Sequence, residues 1–248
     1  MFIQLLCITF AIEQNAINLD LEYMDIKKDY HCHILPGLDD GAQTLEDSIY
    51  LCETLVRWGF THANCTPHIA FRYRNTPKSI RHSFEYLQDE LKERNIPLSL
   101  SYTAEYRFIP ETWSEVKEKG WLLPWNDNHI LIEFPMKDRQ GFKGLDYKKE
   151  ILWLQSQGYQ PVLAHPERYS YMSINELIDI RNMGVEFQCN YGLLCGRYDL
   201  KTNRVAHLLI HEEMVSYMGT DLHNQSYIDC IYQLFEKVVP ETMNYQLY

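Results

Sequence analysis

Short apolar runs alternate along this chain with longer stretches that turn apolar every third or fourth residue. The short runs, at 27–32, 62–66, 98–104, 129–134, 160–164, 185–189 and 215–219, are rich in apolar and β-branched residues and predict strands. The longer stretches predict helices over 44–58, 77–94, 144–157, 174–183, 201–212 and 225–238. In the first of these, Leu45, Ile49, Cys52 and Val56 form one stripe, and Thr44 with Asp47 has capping-box spacing. In the second, Pro77 suits a first turn, and Ile80, Phe84, Leu87 and Leu91 make the stripe. Gly59, Asn95, Gly158 and Gly184 stand where helices end. Seven β/α alternations without a break predict an α/β fold, a parallel sheet covered by helices. No repeat, low-complexity tract or Pro/Gly-rich linker interrupts 27–248, which reads as a single domain.

Residues 1–26 read as an N-terminal extension. Its apolar run, 1–12, is shorter than the ~20 residues a membrane-spanning helix needs. A signal peptide carries positive charge ahead of its apolar run, whereas the first basic residue here is Lys27. A buried or disordered extension is the expectation, with no stable membrane insertion, an export signal the lesser reading and Met24 an alternative start.

Polar side chains that bind metals recur where the predicted strands end. His31-Cys32-His33 closes the first, followed by Asp39-Asp40-Gly41. Thr66-Pro67-His68 closes the second. Glu105, Glu133 and His165 follow at the third, fourth and fifth, and Asp221-Leu222-His223 at the seventh. A (β/α) barrel gathers the C-terminal ends of all its strands at one face, whereas an open sheet collects only those near its switch point. Closure into a barrel is therefore the expectation. Residues i and i+2 of a strand share a face, so His31 and His33 can aim at one cation, and Asp221 with His223 repeats the spacing. Alone, such a pair is weak evidence; two pairs with His and Glu at intervening strand ends are not. Nine candidate ligands exceed one ion's needs, so two or three divalent cations sharing a carboxylate fit better.

Charge sharpens this picture. The net charge of −11 disfavours nucleic acid and anionic membranes as partners, since both need a basic face. It also sits awkwardly with a phosphorylated substrate, unless bound metals supply a local positive field. The seven cysteines include no C-x-x-C and read as reduced cytoplasmic thiols. None is followed six positions on by Arg, so a thiolate phosphate loop is absent, as are G-x-x-x-x-G-K and G-x-G-x-x-G.

DYHCHILPGLDDGAQTLEDSI, residues 29–49, resembles the opening motif of the PHP (polymerase and histidinol phosphatase) superfamily. With TPH (66–68), AEYRF (104–108), LIEFP (131–135), AHPERY (164–169) and GTDLHN (219–224), it looks like the bacterial metal-dependent protein-tyrosine phosphatases of the CpsB/YwqE type. The resemblance spans about 28–225. It implies a distorted seven-stranded (β/α) barrel and three divalent metals, manganese first, with iron, zinc or magnesium open. It implies one metal on His31, His33, Glu105 and Asp221, a second on Glu105, Glu133 and His165, and a third on Asp40, His68 and His223. Arg168 would bind substrate phosphate. One departure stands out. Such proteins often carry a further Arg shortly after the DxH motif, whereas NQSYIDC, 224–230, has none. Arg72 and Arg74 are candidates to contribute, with solvated surface charge the plainer reading of both.

The implied reaction is phosphate monoester hydrolysis in a cytoplasmic protein-tyrosine phosphatase, with a hydroxide held between two metals as nucleophile. The implied partner is the phosphorylated tail of a bacterial tyrosine autokinase in capsule or exopolysaccharide regulation. Oligomeric state stays open. Asp39 is a candidate general acid, against a loop-capping role. Tyr106, Tyr169 and Tyr191 could stack on a phosphotyrosine ring, with core packing the default. Cys32, between two ligands, should point away from them. Trp113, Trp121 and Trp125 fall in a stretch read as loop and suited to a lid or interface. The alternatives are a PHP phosphoesterase for a small ester such as histidinol phosphate, a nuclease, and a catalytically weak phosphotyrosine-binding regulator. An amidohydrolase fits less well, because Glu133 stands where a bridging Lys is usual.

Overall fold

The computed structural model describes residues 7–12, 15–20, 27–192 and 200–236. Within the extension, strands β1 (Cys7–Ile12) and β2 (Asn15–Asp20) pair antiparallel, with Phe10 opposite Ile17. The last two residues of the final predicted helix, 237–238, lie outside the described residues.

From Lys27 onward the predicted alternation appears. It runs β3 (Lys28–Cys32), α1 (Leu45–Arg57), β4 (His62–Cys65), β5 (His68–Ile69), α2 (Pro77–Glu93), β6 (Ser99–Tyr102) and β7 (Glu105–Arg107). It continues through α3 (Pro110–Lys119), β8 (His129–Glu133), α4 (Tyr147–Ser156), β9 (Gln160–Ala164), α5 (Ile174–Asn182), β10 (Glu186–Asn190), α6 (Leu200–His211), β11 (Tyr217–Gly219) and α7 (Gln225–Glu236). The α1 capping box forms: Asp47 N–H donates to Thr44 Oγ1 at 3.2 Å, and Thr44 N–H to Asp47 Oδ2 at 2.9 Å. The stretch expected to be loop instead contains α3. Pro110 opens it at a position needing no N–H, and Gly120 ends it in a left-handed conformation, φ 64°. Trp113 is fully buried in α3, its ring edge-on to Phe108 at 4.5 Å, which makes it core rather than lid.

The strands from β3 onward pair in parallel, in the orders β11-β10-β9-β8-β7-β5 and β3-β4-β6. The chain passes straight from β4 to β5 and from β6 to β7, so just beyond the predicted strands 62–66 and 98–104 it steps from one sheet into the other on short strands the sequence did not predict. Pro67 has no N–H to donate at that break, yet its carbonyl accepts from Glu105 N at 3.1 Å. At the other edge β3 meets β11. Asp221 N–H donates to His31 O at 2.8 Å and His33 N–H to Leu222 O at 3.0 Å. Buried Asp29 reinforces this seam by accepting from Thr220 N (2.8 Å), Thr220 Oγ1 (2.6 Å) and His31 N (3.2 Å). Burial pushes its carboxyl up to about 6, against those bonds. Cys32, Cys52, Cys65 and Cys189 are buried free thiols. Among the described residues no helix is long and apolar enough to cross a membrane.

Candidate metal centre

All nine predicted ligands meet at one face, eight of them on or just past strands and Asp40 on the loop after β3. On β3 the period of two turns Cys32 into the core, its Sγ 3.5 Å from Asn64 O, as expected. His31 and His33 share the opposite side, with Nε2 atoms 3.1 Å apart. Just beyond β11, Asp221 takes a left-handed backbone, φ 53°, which Asp tolerates better than most residues. Its Oδ1 lies 3.5 Å from His31 Nε2 and 3.6 Å from His33 Nε2. Glu105 sits at the centre. Its Oε2 is 3.5, 3.4 and 2.9 Å from His31, His33 and His68, and its Oε1 is 3.0 Å from His165 Nε2. Glu133 approaches His68 and His165 at 4.0 Å each. Asp40, half-exposed, lies 3.6 Å from His68 Nε2 and 3.7 Å from His223 Nε2.

Neighbouring groups aim these rings. His31 Nδ1 donates to Gln188 Oε1 at 2.6 Å, His33 Nδ1 to Asp39 Oδ2 at 2.8 Å, and His223 Nδ1 to the Asp221 carbonyl at 2.8 Å. Each bond fixes the proton on Nδ1 and leaves an Nε2 lone pair for the cluster. Lone pairs from His31 and His33 only 3.1 Å apart repel unless a positive charge lies beside them. His165 Nδ1 is buried without a hydrogen-bond partner. Imidazole nitrogens and carboxylate oxygens, with no thiolate among them, suit divalent zinc, manganese or iron. The residues present therefore fit divalent cations. Tight sets include His31–His33–Asp221, His31–Glu105–His165, His68–Glu105–Glu133 and His33–His68–His223. His68 thus borders Glu105 and Glu133 as well as Asp40.

The electrostatics follow from burial and proximity. Burial pulls His31 down, but the Glu105 and Asp221 carboxylates outweigh it and raise the ring. Burial raises Glu105, and His31 and His68 more than reverse this, holding it well below the usual range. Burial and the His33 ring lower His223 to about 4. Asp39 accepts from His33, from His68 N at 2.8 Å and from Gly41 N at 2.9 Å. Burial works against its charge, but His33 and these donors hold it ionised, below the usual range.

Two glycines let the backbone come close. A Cβ on Gly41 would lie 2.0 Å from His33 O, and one on Gly219 would lie 2.5 Å from His31 Cβ.

The cluster floors a cavity of about 420 Å³. Arg168, in a 3₁₀ turn over Pro166–Arg168, reaches Asp221 Oδ2 at 2.8 Å, and Arg72 reaches Asp40 Oδ2 at 3.0 Å. Arg107, not among the expected residues, also lines the cavity and pairs with Glu133. Its signal was present in AEYRF, since it stands two residues after Glu105 on one strand. Arg74 is not among the cavity-lining residues. The predicted aromatics are elsewhere: Tyr106, Tyr169 and Tyr191 are buried in the core. Phe71, Tyr73 and Tyr227 line the cavity instead. Tyr73 stacks on His68 at 5.5 Å, and Tyr227 on His223 at 4.9 Å.

A family model for capsular polysaccharide synthesis proteins, CpsB/CapC, matches residues 27–232. The chain belongs to the CpsB/CapC family. A CpsB/CapC relative, tyrosine-protein phosphatase YwqE of Bacillus subtilis (strain 168), is 32% identical over 201 residues, 79% of this chain and 77% of the relative. The crystal structures of YwqE and of CpsB from Streptococcus pneumoniae, described as metal-dependent tyrosine phosphatases, supply a match with TM-score 0.70 and 31% identity. It covers 85% of this chain and 86% of the other. A phosphotriesterase homology protein from Escherichia coli matches at TM-score 0.52 and 12% identity, over 83% of this chain and 85% of that one, which shows shared fold alone. The chain is thus an α/β protein with parallel sheets, similar in fold to PHP- and TIM-like phosphoesterases.

Proposed function

We propose that this chain is a metal-dependent protein-tyrosine phosphatase. The observation that carries this is the convergence of His31, His33, His68, Glu105, Glu133, His165, Asp221 and His223, all buried, beneath an arginine-lined cavity. The CpsB/CapC relatives named as tyrosine phosphatases support the substrate class. The paired seams, β3 with β11 and β4/β5 with β6/β7, support a distorted seven-stranded barrel over 27–248, with 1–26 as an extension. Asp40 completes the ligand set, which is large enough for two or three ions, manganese by preference. The phosphotyrosine tail of a bacterial autokinase, in capsule regulation in the cytoplasm, is the proposed setting.

Bound divalent cations would supply Lewis-acid charge and an activated water. The protein residues do the rest. Arg168 grips phosphate oxygens with a planar fork that suits them. Asp39, ionised and engaged by three donors, orients His33 rather than protonating the leaving group. A tyrosine phenolate, pKa about 10, leaves with modest help. Phe71, Tyr73 and Tyr227 give the cavity aromatic walls, which favour an aryl ester over a small polar one such as histidinol phosphate.

The test is turnover of a phosphotyrosyl peptide against histidinol phosphate, with manganese and with chelator. Manganese-dependent release from the peptide is expected. Activity that survives both chelation and His31→Ala would sink the reading, and peptide binding without turnover would favour a regulatory module.

A further inference from the structure

The cavity is lined by three arginines, and each is tethered to a different carboxylate of the metal-type cluster: Arg72 to Asp40, Arg107 to Glu133 and Arg168 to Asp221. We propose that Arg107 is a second phosphate-binding residue of this site, acting together with Arg168. The inference rests on the phosphoester reading above and adds a residue to it.

Burial separates the three. The Arg107 side chain is 30% exposed against 4% for Glu133, close to Arg168 at 26% against 2% for Asp221. Arg72 and Asp40 are both largely solvated. A guanidinium beside a buried carboxylate acts through a lower effective dielectric than one at the rim, so Arg107 and Arg168 are the two that hold an anion strongly.

Arg107 is also placed by a strand rather than a loop. It stands in parallel register with Glu133 on β8, as Glu105 does with His68 on β5. Tyr106 between them faces the core, where its hydroxyl donates to Trp121 O at 2.6 Å and accepts from Leu123 N at 2.7 Å. That lock fixes the roll of β7, so Glu105 and Arg107 both face the cluster. Phe108 N–H then donates to Glu133 O at 2.7 Å, extending the pairing past Arg107. A residue held this way loses little freedom on binding.

The donor count is sufficient. Glu133 engages Nη1, and a guanidinium carries five N–H donors in a rigid fork. A phosphate monoester presents three terminal oxygens, enough for two guanidiniums and for the divalent cations that the His/Asp/Glu cluster would hold.

The plain alternative is that Arg107 only neutralises Glu133. Titrating inorganic phosphate calorimetrically into the manganese-loaded full chain, with bound metal quantified in parallel, separates the two. Arg107→Gln should weaken phosphate binding about 10- to 100-fold at unchanged metal content, comparable to Arg168→Gln. Arg107→Lys, which keeps charge but loses the fork, should fall between wild type and Arg107→Gln, and it decides the matter if the glutamine variant does not fold. Phosphate affinity within about twofold of wild type in the folded variant would overturn the proposal, as would a loss fully restored by resupplying metal. If the wild type turned over no phosphotyrosyl peptide while Arg107→Gln still lost phosphate, the substrate reading would fail and this one would stand.

Discussion

Two arginine–aspartate pairs face one cavity at nearly the same separation: Arg168 with Asp221 at 2.8 Å, and Arg72 with Asp40 at 3.0 Å. Their surroundings differ. Asp221 is buried against His31 and His33, and Arg168 covers it. The Arg72 and Asp40 side chains are 68% and 48% exposed. Coulomb energy at fixed distance scales inversely with effective dielectric, and exposed pairs contribute about 0–1 kcal/mol. Distance therefore says little about which pair matters; water decides it. The floor of the site can bind and polarise, while the rim can only bias what approaches.

The sharpest way to break this contrast is Asp221→Ala. It removes a carboxylate shared by three histidines and strips Arg168 of its buried partner. Turnover of a phosphotyrosyl peptide should fall by at least about a thousand-fold, with fewer divalent ions bound per chain. Full metal content with only a tenfold loss would mean that the floor is not the chemical centre.

A smaller effect is expected one layer out. Gln188 touches no substrate in this reading; it holds the His31 ring by Nδ1 and is itself braced by Asn190 Oδ1 at 2.9 Å. Gln188→Ala should cost about 10–100-fold in manganese affinity, measured by chelator competition. A loss of kcat at saturating manganese, with affinity unchanged, would show that Gln188 acts on something other than ring orientation.

The same layering explains what could be read from sequence. The nine candidate ligands were legible because a strand's period of two and its C-terminal end leave few places for such side chains. Gln188 was not, and Arg107 was legible only as a residue two positions after Glu105, not as a partner of Glu133. Their roles depend on which neighbour lies across a strand pair, and register is a tertiary property. For Asp39 the loop-capping reading agrees with the Gly41 and His68 N–H groups that donate to it, while its bond to His33 Nδ1 shows only in the fold. Helix α3 was missed because a short segment opening on Pro110 shows little periodicity, and Trp113 needed Phe108 and Trp153 around it to read as core. Tyr106, Tyr169 and Tyr191 lie near strand ends as expected, but on faces that turn inward.

Arg72→Ala is the mildest change and the finest test of the rim. The guanidinium lies 4.3 Å over the Tyr73 ring, which stacks on His68, so it steadies an aromatic wall as well as pairing with Asp40. At about 0.15 M salt, where the Debye length is ~8 Å, kcat/KM for a phosphopeptide should fall less than about threefold. At about 0.01 M salt the Debye length reaches ~30 Å, and the deficit should widen as long-range attraction of an anionic substrate is lost. A deficit that ignores salt would place Arg72 in direct contact with phosphate. A deficit as large as that of Arg168→Gln at high salt would erase the distinction between floor and rim, and with it the claim that solvation rather than distance ranks the arginines.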